Sequence, residues 1–324
     1  MVDMANYVAP QVRMGQVLYI LDGGIGHNLN ATLALRVSRI VRGSPASVVT
    51  SWPELFQGNP DVKHIFSFRD VEALHDFMTE HHGRITMHKD NIYTDRRHLA
   101  EKHTALRYLI CETYGLRLPY KEEDRLYFYP TEAELKNAQE FYNELVEYYT
   151  TVHGIRRDEL RFGVIQPEGS GIGGNPAAAL KAIPVRTTKE IIAKSPENVI
   201  WLHLKTKGEN PIEHDRVYPI TLPIREFVTF LRFADFGVGC ESVANHIIAG
   251  LYRKPFICLM GRSNARTYMH ESTIVISEPG SCATFACEMP FYTVERICER
   301  AVCMDAIDPQ KVVIALNKVI SQLP

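Results

Sequence analysis

The stretch VLYILDGGIGHNLNATLALRVSRI, residues 17–40, decides the fold class. Its first five residues, VLYIL (17–21), are an unbroken apolar run of the kind shown by a strand buried on both faces. Asp22-Gly23-Gly24-Ile25-Gly26 breaks that run. From about residue 27, Leu29, Leu33, Val37 and Ile40 recur at helical spacing, and Gly43 supplies a C′ stop. Working outward, SVVTS (47–51), HIFS (64–67) and RITM (84–87) read as further strands. Strands alternating with helical patterns predict a parallel sheet covered by helices on both faces.

The second half repeats this grammar. Thr131-Glu132-Ala133-Glu134 is a capping box opening a long helix to about Thr150, whose five glutamates and one lysine suit a solvated polar face. A polar, aperiodic stretch near 151–162 marks a boundary. Beyond it, FGVIQ (162–166) reads as a buried strand, followed by the glycine-rich PEGSGIGGNP (167–176). VIWLHL (199–204), a helix over 224–233, the strands DFGVG (235–239) and PFICL (255–259), and a last helix opened by Asp308-Pro309 complete the series. The expectation is an α/β chain of two doubly wound, Rossmann-like domains, 1–157 and 158–324, with ligand in the cleft between them.

Composition agrees. The chain has 324 residues, 45% apolar and 23% charged, which suits two domains with cores of their own. A formal charge of −2 excludes a broadly polybasic protein but not a local basic patch. Seven cysteines, an odd number, do not form a disulfide scaffold. The N-terminus shows no apolar signal core, and the apolar runs are too short to span a bilayer. The first expectation is therefore a cytoplasmic enzyme.

Glycines at 22–27 let backbone approach a ligand, and the following helix N-terminus favours negative charge. A dinucleotide fingerprint fits poorly: Leu29 stands where a third small residue belongs, and SVVTSWP lacks the acidic residue that holds a ribose. In the second half, Glu241 and Ser242 begin a helix and His246 follows. They can accept ribose hydroxyls or orient amides toward phosphate. The plainer reading makes Ser242 a helix cap and His246 a core histidine.

These segments, in order, resemble glycosyltransferase family nine, the heptosyltransferases. GGIGHNLNATLAL (23–35) is similar to that family's G-G-[IL]-G-D opening, and Asn59-Pro60-Asp61-Val62 to its N-P-x-V. Lys181-Ala182-Ile183-Pro184 resembles K-x-W-P, and Glu241 through His246 resembles D-[TS]-G-x-x-H, with Pro255 and Gly261 in register behind it. The resemblance implies a GT-B fold and sugar transfer (hexosyl, heptosyl or pentosyl) from a nucleotide sugar, with inversion and no required metal or cofactor. It places the donor on the second half, at Gly169, Ser170, Gly171, Lys181, Lys205, Glu241, Ser242 and His246. Lys181 would neutralise diphosphate oxygens and Glu241 would hold ribose. The acceptor would enter at Gly24 and Gly26.

Three residues depart from the family pattern. His27 replaces the family aspartate, Val243 replaces a glycine and Ile183 replaces an aromatic residue. A helix N-terminus biases histidine toward its neutral, proton-accepting form, so His27 is the candidate general base. Asp22 and Asp95 are the alternatives. His27 and the short chain also look closer to virus-encoded relatives. Residues 81–103 hold five Lys/Arg, five His and three acids. His88, Arg96 and Arg97 there could meet an anionic acceptor, either a lipopolysaccharide-type glycan or a hydroxymethylated DNA base; a solvated surface is the plainer reading. Cys282, Cys287, Cys298 and Cys303 are spaced for a structural Zn or Fe site, with buried thiols or a disulfide as alternatives. Cys111, Cys240 and Cys258 read as core residues. Rival functions are a nucleotide-sugar epimerase and a non-catalytic nucleotide-sugar-binding protein.

Overall fold

The computed structural model describes residues 15–89, 105–169, 180–205, 209–261, 265–281 and 301–323. In the first half, β1 (Gln16–Leu21), β2 (Ala46–Thr50), β3 (Val62–Ser67) and β4 (Ile85–Lys89) form a sheet of order β3-β2-β1-β4. In the second, β5 (Arg161–Gln166), β6 (Val199–Leu204), β7 (Val217–Ile220), β8 (Phe236–Cys240), β9 (Phe256–Leu259) and β10 (Thr273–Ile276) form a sheet of order β10-β9-β8-β5-β6-β7. Every adjacent pair is parallel. The expected α/β class and parallel sheets are therefore present. Residues of β2, β6, β8 and β9 are buried throughout, as unbroken apolar runs require. β7 carries Pro219 and lies at a sheet edge, where a missing N–H is tolerated.

The longer helices include α1 (Ile25–Arg42), α2 (Val71–Glu80), α3 (Leu106–Thr113), α4 (Glu132–His153), α5 (Val185–Lys194) and α6 (Ile224–Phe230). α7 starts at Val243–Asn245 and widens into a π-helix over His246–Leu251; α8 is Pro309–Ile320, with Asp308 capping Gln310 N. α1 ends at Gly43, whose φ of 70° is the left-handed conformation glycine adopts most easily. Leu29, Leu33 and Val37 are fully buried, but Ile40 is 50% exposed, contrary to the periodicity. The last turn of α1 lies outside the packed layer, and Val41 is exposed with it. Buried Asp61 holds α1 through Arg36 Nε (2.9 Å) and Arg39 Nη1 (3.3 Å). That gives the N-P-x-V segment a packing role.

The capping box of α4 forms as read. Four of its five first-read glutamates are exposed. Glu134 is not part of a solvated face: it pairs with Arg225 of α6. α4 also lies on the second half's aromatic layer, with Phe141 against Phe230 and Tyr142 stacked on Phe233 at 4.7 Å. Arg225 joins the halves. Its Nε and Nη2 grip Glu134 Oε1 and Oε2 (2.5 and 2.7 Å), Nη1 donates to Glu54 O and Gln57 O, and Nη2 donates to Tyr129 O. No described helix is long and apolar enough to cross a membrane.

Candidate active site

Loops at the C-terminal ends of both sheets meet around the N-terminus of α1. Hydrogen bonds from behind fix the glycine loop that opens α1. Asn28 Nδ2 donates to Gly23 O (2.9 Å) and Gly24 O (3.0 Å), and Thr50 Oγ1 at the end of β2 donates to Asn28 Oδ1 (2.6 Å). Trp52 Nε1 donates to Gly23 O at 3.2 Å. Two of the glycines are required by close approach. A Cβ on Gly23 would sit 2.5 Å from His27 Cγ, and one on Gly26 would sit 2.4 Å from His246 Cδ2. His27 therefore curls back over Gly23, while His246 crosses from α7 onto Gly26. Gly24 has open space beside it. Asp22 is half-exposed and ion-paired with Lys89 of β4 at 2.7 Å.

The second half contributes the ends of β5, β6 and β8. Gln166 Oε1, at the end of β5, accepts Ala244 N (2.9 Å) and so holds the first turn of α7. Ser242 stands at the N-cap, but its side chain makes no capping bond, which removes the plainer reading of that residue. Gly169 lies against Ser242: a Cβ there would be 3.6 Å from Ser242 Oγ. Lys181 forms an ion pair with buried Glu241, and its Nζ lies 5.6 Å from the centre of the Tyr268 ring. At the end of β6, Lys205 Nζ donates to Glu209 O (2.8 Å), and buried His203 meets Glu209 Oε1 at 3.0 Å. Burial, then the charge of Glu209, pushes the Glu168 carboxyl upward.

His246 is a second point where the halves touch, beside the Arg225 contact. Asn30 Nδ2 lies 3.1 Å from its Nδ1, and His270 Nε2 lies 2.9 Å from the same atom. Burial brings its pKa down to about 4, with nearby Lys181, Arg107 and His27 acting the same way and Glu241 opposing. His246 is thus a buried, hydrogen-bonded histidine that also lies against Gly26 in the first turn of α1.

The fold therefore gathers Gly24, Gly26 and His27 on one side and Gly169, Lys181, Glu241, Ser242 and His246 on the other. Lys205 stands beside Glu209 at the neighbouring strand end. His88 is elsewhere: it stacks on Tyr19 (5.3 Å) and lies 5.9 Å from Tyr114, and burial lowers its pKa. Asp95, Arg96, Arg97, Ser170, Gly171, Cys282, Cys287 and Cys298 lie outside the described residues. Cys303 is buried near Gly261. Among the described residues, no group of three or more His, Cys, Asp or Glu is placed to hold a metal ion. Cys111, Cys240 and Cys258 are core residues as read, and burial pushes the Cys240 thiol up to about 12.

Sequence reading missed Asn30, His270, Asn28, Thr50, Tyr268 and Glu209. Two asparagines inside the first turns of a helix were an available signal, since asparagine is a poor interior helix former. His270 carried none.

No protein-family model matches the chain, and no curated protein matches it by sequence. Solved structures do match in fold. A family 9 glycosyltransferase from Veillonella parvula superposes with a TM-score of 0.67 at 13% identity, over 95% of this chain and 98% of that one. The iron-containing heptosyltransferase TibC of enterotoxigenic E. coli, in complex with ADP-D-β-D-heptose, gives 0.62 at 13% identity, over 96% and 78%. The E. coli ADP-heptose heptosyltransferase II gives 0.56 at 12% identity, over 95% and 99%. The chain has the GT-B fold of these glycosyltransferases.

Proposed function

We propose that this chain is a glycosyltransferase that moves a sugar from a nucleotide-sugar donor to an acceptor hydroxyl. One observation carries the reading: the pair of Lys181 with buried Glu241 and the start of α7 stand opposite the glycine loop and His27, in a fold shared with sugar-nucleotide enzymes. The second half, from about residue 158, holds the donor. Glu241 accepts its ribose hydroxyls and Lys181, released from Glu241, meets the diphosphate. Gly169, Ser170, Gly171, Ser242 and Lys205 complete that side.

The acceptor enters from the first half, near Gly24. His27 takes the hydroxyl proton as the oxygen attacks the anomeric carbon, and the bond to the diphosphate breaks on the opposite face, which inverts the centre. Positive charge at Lys181 stabilises the departing diphosphate, so transfer itself needs no cofactor. The acceptor is a glycan of lipopolysaccharide type or a hydroxymethylated DNA base. The four cysteines from 282 to 303 would hold only a structural metal.

A transfer assay with mass-spectrometric product detection tests this. His27→Ala should lower kcat by about 100-fold or more, the usual loss when a positioned base is removed. Transfer at the wild-type rate in that variant would refute the role of His27.

A further inference from the structure

The atoms around His246 specify where its proton resides. Asn30 Nδ2 lies 2.7 Å from Gly26 O as well as 3.1 Å from His246 Nδ1. A backbone carbonyl only accepts, so the nitrogen of the Asn30 amide faces this corner and not its oxygen. An amide nitrogen only donates, so His246 Nδ1 is the acceptor. His270 Nε2, at 2.9 Å from the same Nδ1, is then a donor too.

The position of His270 is built into the fold. Asn245 Nδ2 donates to Tyr268 O (2.9 Å), Thr273 Oγ1 donates to Asn245 Oδ1 (2.8 Å), and His270 N donates to Thr273 Oγ1 (3.2 Å). Gly250 admits the ring, since a Cβ there would sit 2.6 Å from His270 Cε1. With Nδ1 accepting, the proton of neutral His246 is on Nε2. That atom has no hydrogen-bond partner among the described residues. It lies beside Gly26, where a Cβ would be 3.0 Å away, in the first turn of α1. Backbone N–H groups there lack intrahelical partners.

We infer that Asn30 and His270 are positioning residues that lock His246 as its Nε2–H tautomer, a neutral donor beside the α1 N-terminus for an anionic oxygen of the ligand. On the reading of the cleft given above, that oxygen belongs to the diphosphate of the donor. The tautomer itself does not depend on that reading. A second proton on Nδ1 would point at the Asn30 and His270 N–H groups, so the cation loses both contacts. Among the charged groups around His246, Lys181, Arg107 and His27 disfavour that cation and Glu241 favours it.

Nitrogen NMR of the ¹⁵N-histidine-labelled chain, without ligand, tests the inference. His246 should show the Nε2–H pattern throughout about pH 6–8. Asn30→Asp presents an acceptor to Nδ1 and should move the proton there. His270→Leu should mix the tautomers, and His270→Gln, which keeps a donor, should restore the wild-type pattern. In turnover, Asn30→Asp should lower kcat about 100-fold, the scale of losing one oxyanion donor, with a smaller change in donor KM. Protonation of wild-type His246 on Nδ1 or on both nitrogens near pH 7 would overturn the inference, as would an unchanged tautomer in Asn30→Asp. Expected tautomers in a chain that turns over no nucleotide sugar would uphold the inference and refute the transferase reading.

Discussion

Arg225 and His246 both reach from the second half to the first, and they are satisfied in opposite ways. Arg225 is charged, and its guanidinium groups are all donating, to one carboxylate and three backbone carbonyls. His246 is held neutral by burial, with two donors on a single nitrogen, and its other nitrogen faces the first turn of α1. A fully paired buried charge has nothing left for a ligand and acts as a rivet. A neutral ring with one open atom keeps chemistry in reserve. The difference separates the contact that holds the halves from the contact that serves the site.

The largest effect should come from breaking the rivet. Arg225→Met leaves Glu134 with only its capping-box bonds from Thr131 and leaves three carbonyls without this donor, which costs about 3–5 kcal/mol, as for other broken buried pairs. Urea denaturation measures it. The two contacts should also separate along the pH axis. The Arg225 guanidinium, with the capping-box bonds from Thr131, holds Glu134 down at about 2, against 4.5 ordinarily. Because the folded value is depressed, that stability is complete above about pH 4.5 and disappears as pH falls toward 2. It amounts to about 3 kcal/mol at roughly 1.4 kcal/mol per pKa unit. Glu134→Gln should make that limb shallower, leaving the part that Asp124 and Glu123 contribute.

His246 acts at higher pH. Its ordinary value of 6.5 falls to about 4, so the unfolded chain gains the proton first and stability declines as pH drops from about 6.5 to 4. His246→Gln should make that decline shallower, since burial lowers His270, His88 and His64 too, and should leave the Glu134 limb intact. Two coincident limbs would merge what the comparison separates.

A smaller effect is expected from Gly26→Ala. The new methyl meets His246 Cδ2 at 2.4 Å and forces the halves apart, at about 1–3 kcal/mol, as for other overpacked sites. Gly24→Ala meets open space and should lose only the capping preference of glycine, about 1 kcal/mol or less. The smallest effect belongs to Asp22→Asn. Its pair with Lys89 is about half exposed on both sides, and removing it should change stability by less than about 1 kcal/mol.

Much of the fold was legible in the sequence because buried parallel strands write themselves as apolar runs. VLYIL, VIWLHL and PFICL each became strands, and Gly43, Thr131 and Asp308 marked helix ends through local backbone chemistry. The edge strands β7 and β10 were not found: four residues each, and only partly buried, they carry little pattern. The glycine loop and the Glu241–His246 segment were legible as candidate site elements because their spacing is local. Asn30 and His270 were not. Asn30 meets His246 across 216 residues of sequence, and His270 depends on a loop stitched to Asn245. The pairing of Lys181 with Glu241 was likewise hidden, although each residue was singled out.

On the proposed reading, Lys181 and Glu241 bind the nucleotide sugar. Titration calorimetry of the wild-type chain and Lys181→Ala against ADP-, UDP-, GDP-, CMP- and dTDP-sugars tests it most directly. At least one donor should bind, and Lys181→Ala should weaken its Kd about tenfold or more, the loss expected for a charge-assisted contact to phosphate. Binding of none of the five classes, or binding unchanged by Lys181→Ala, would contradict it.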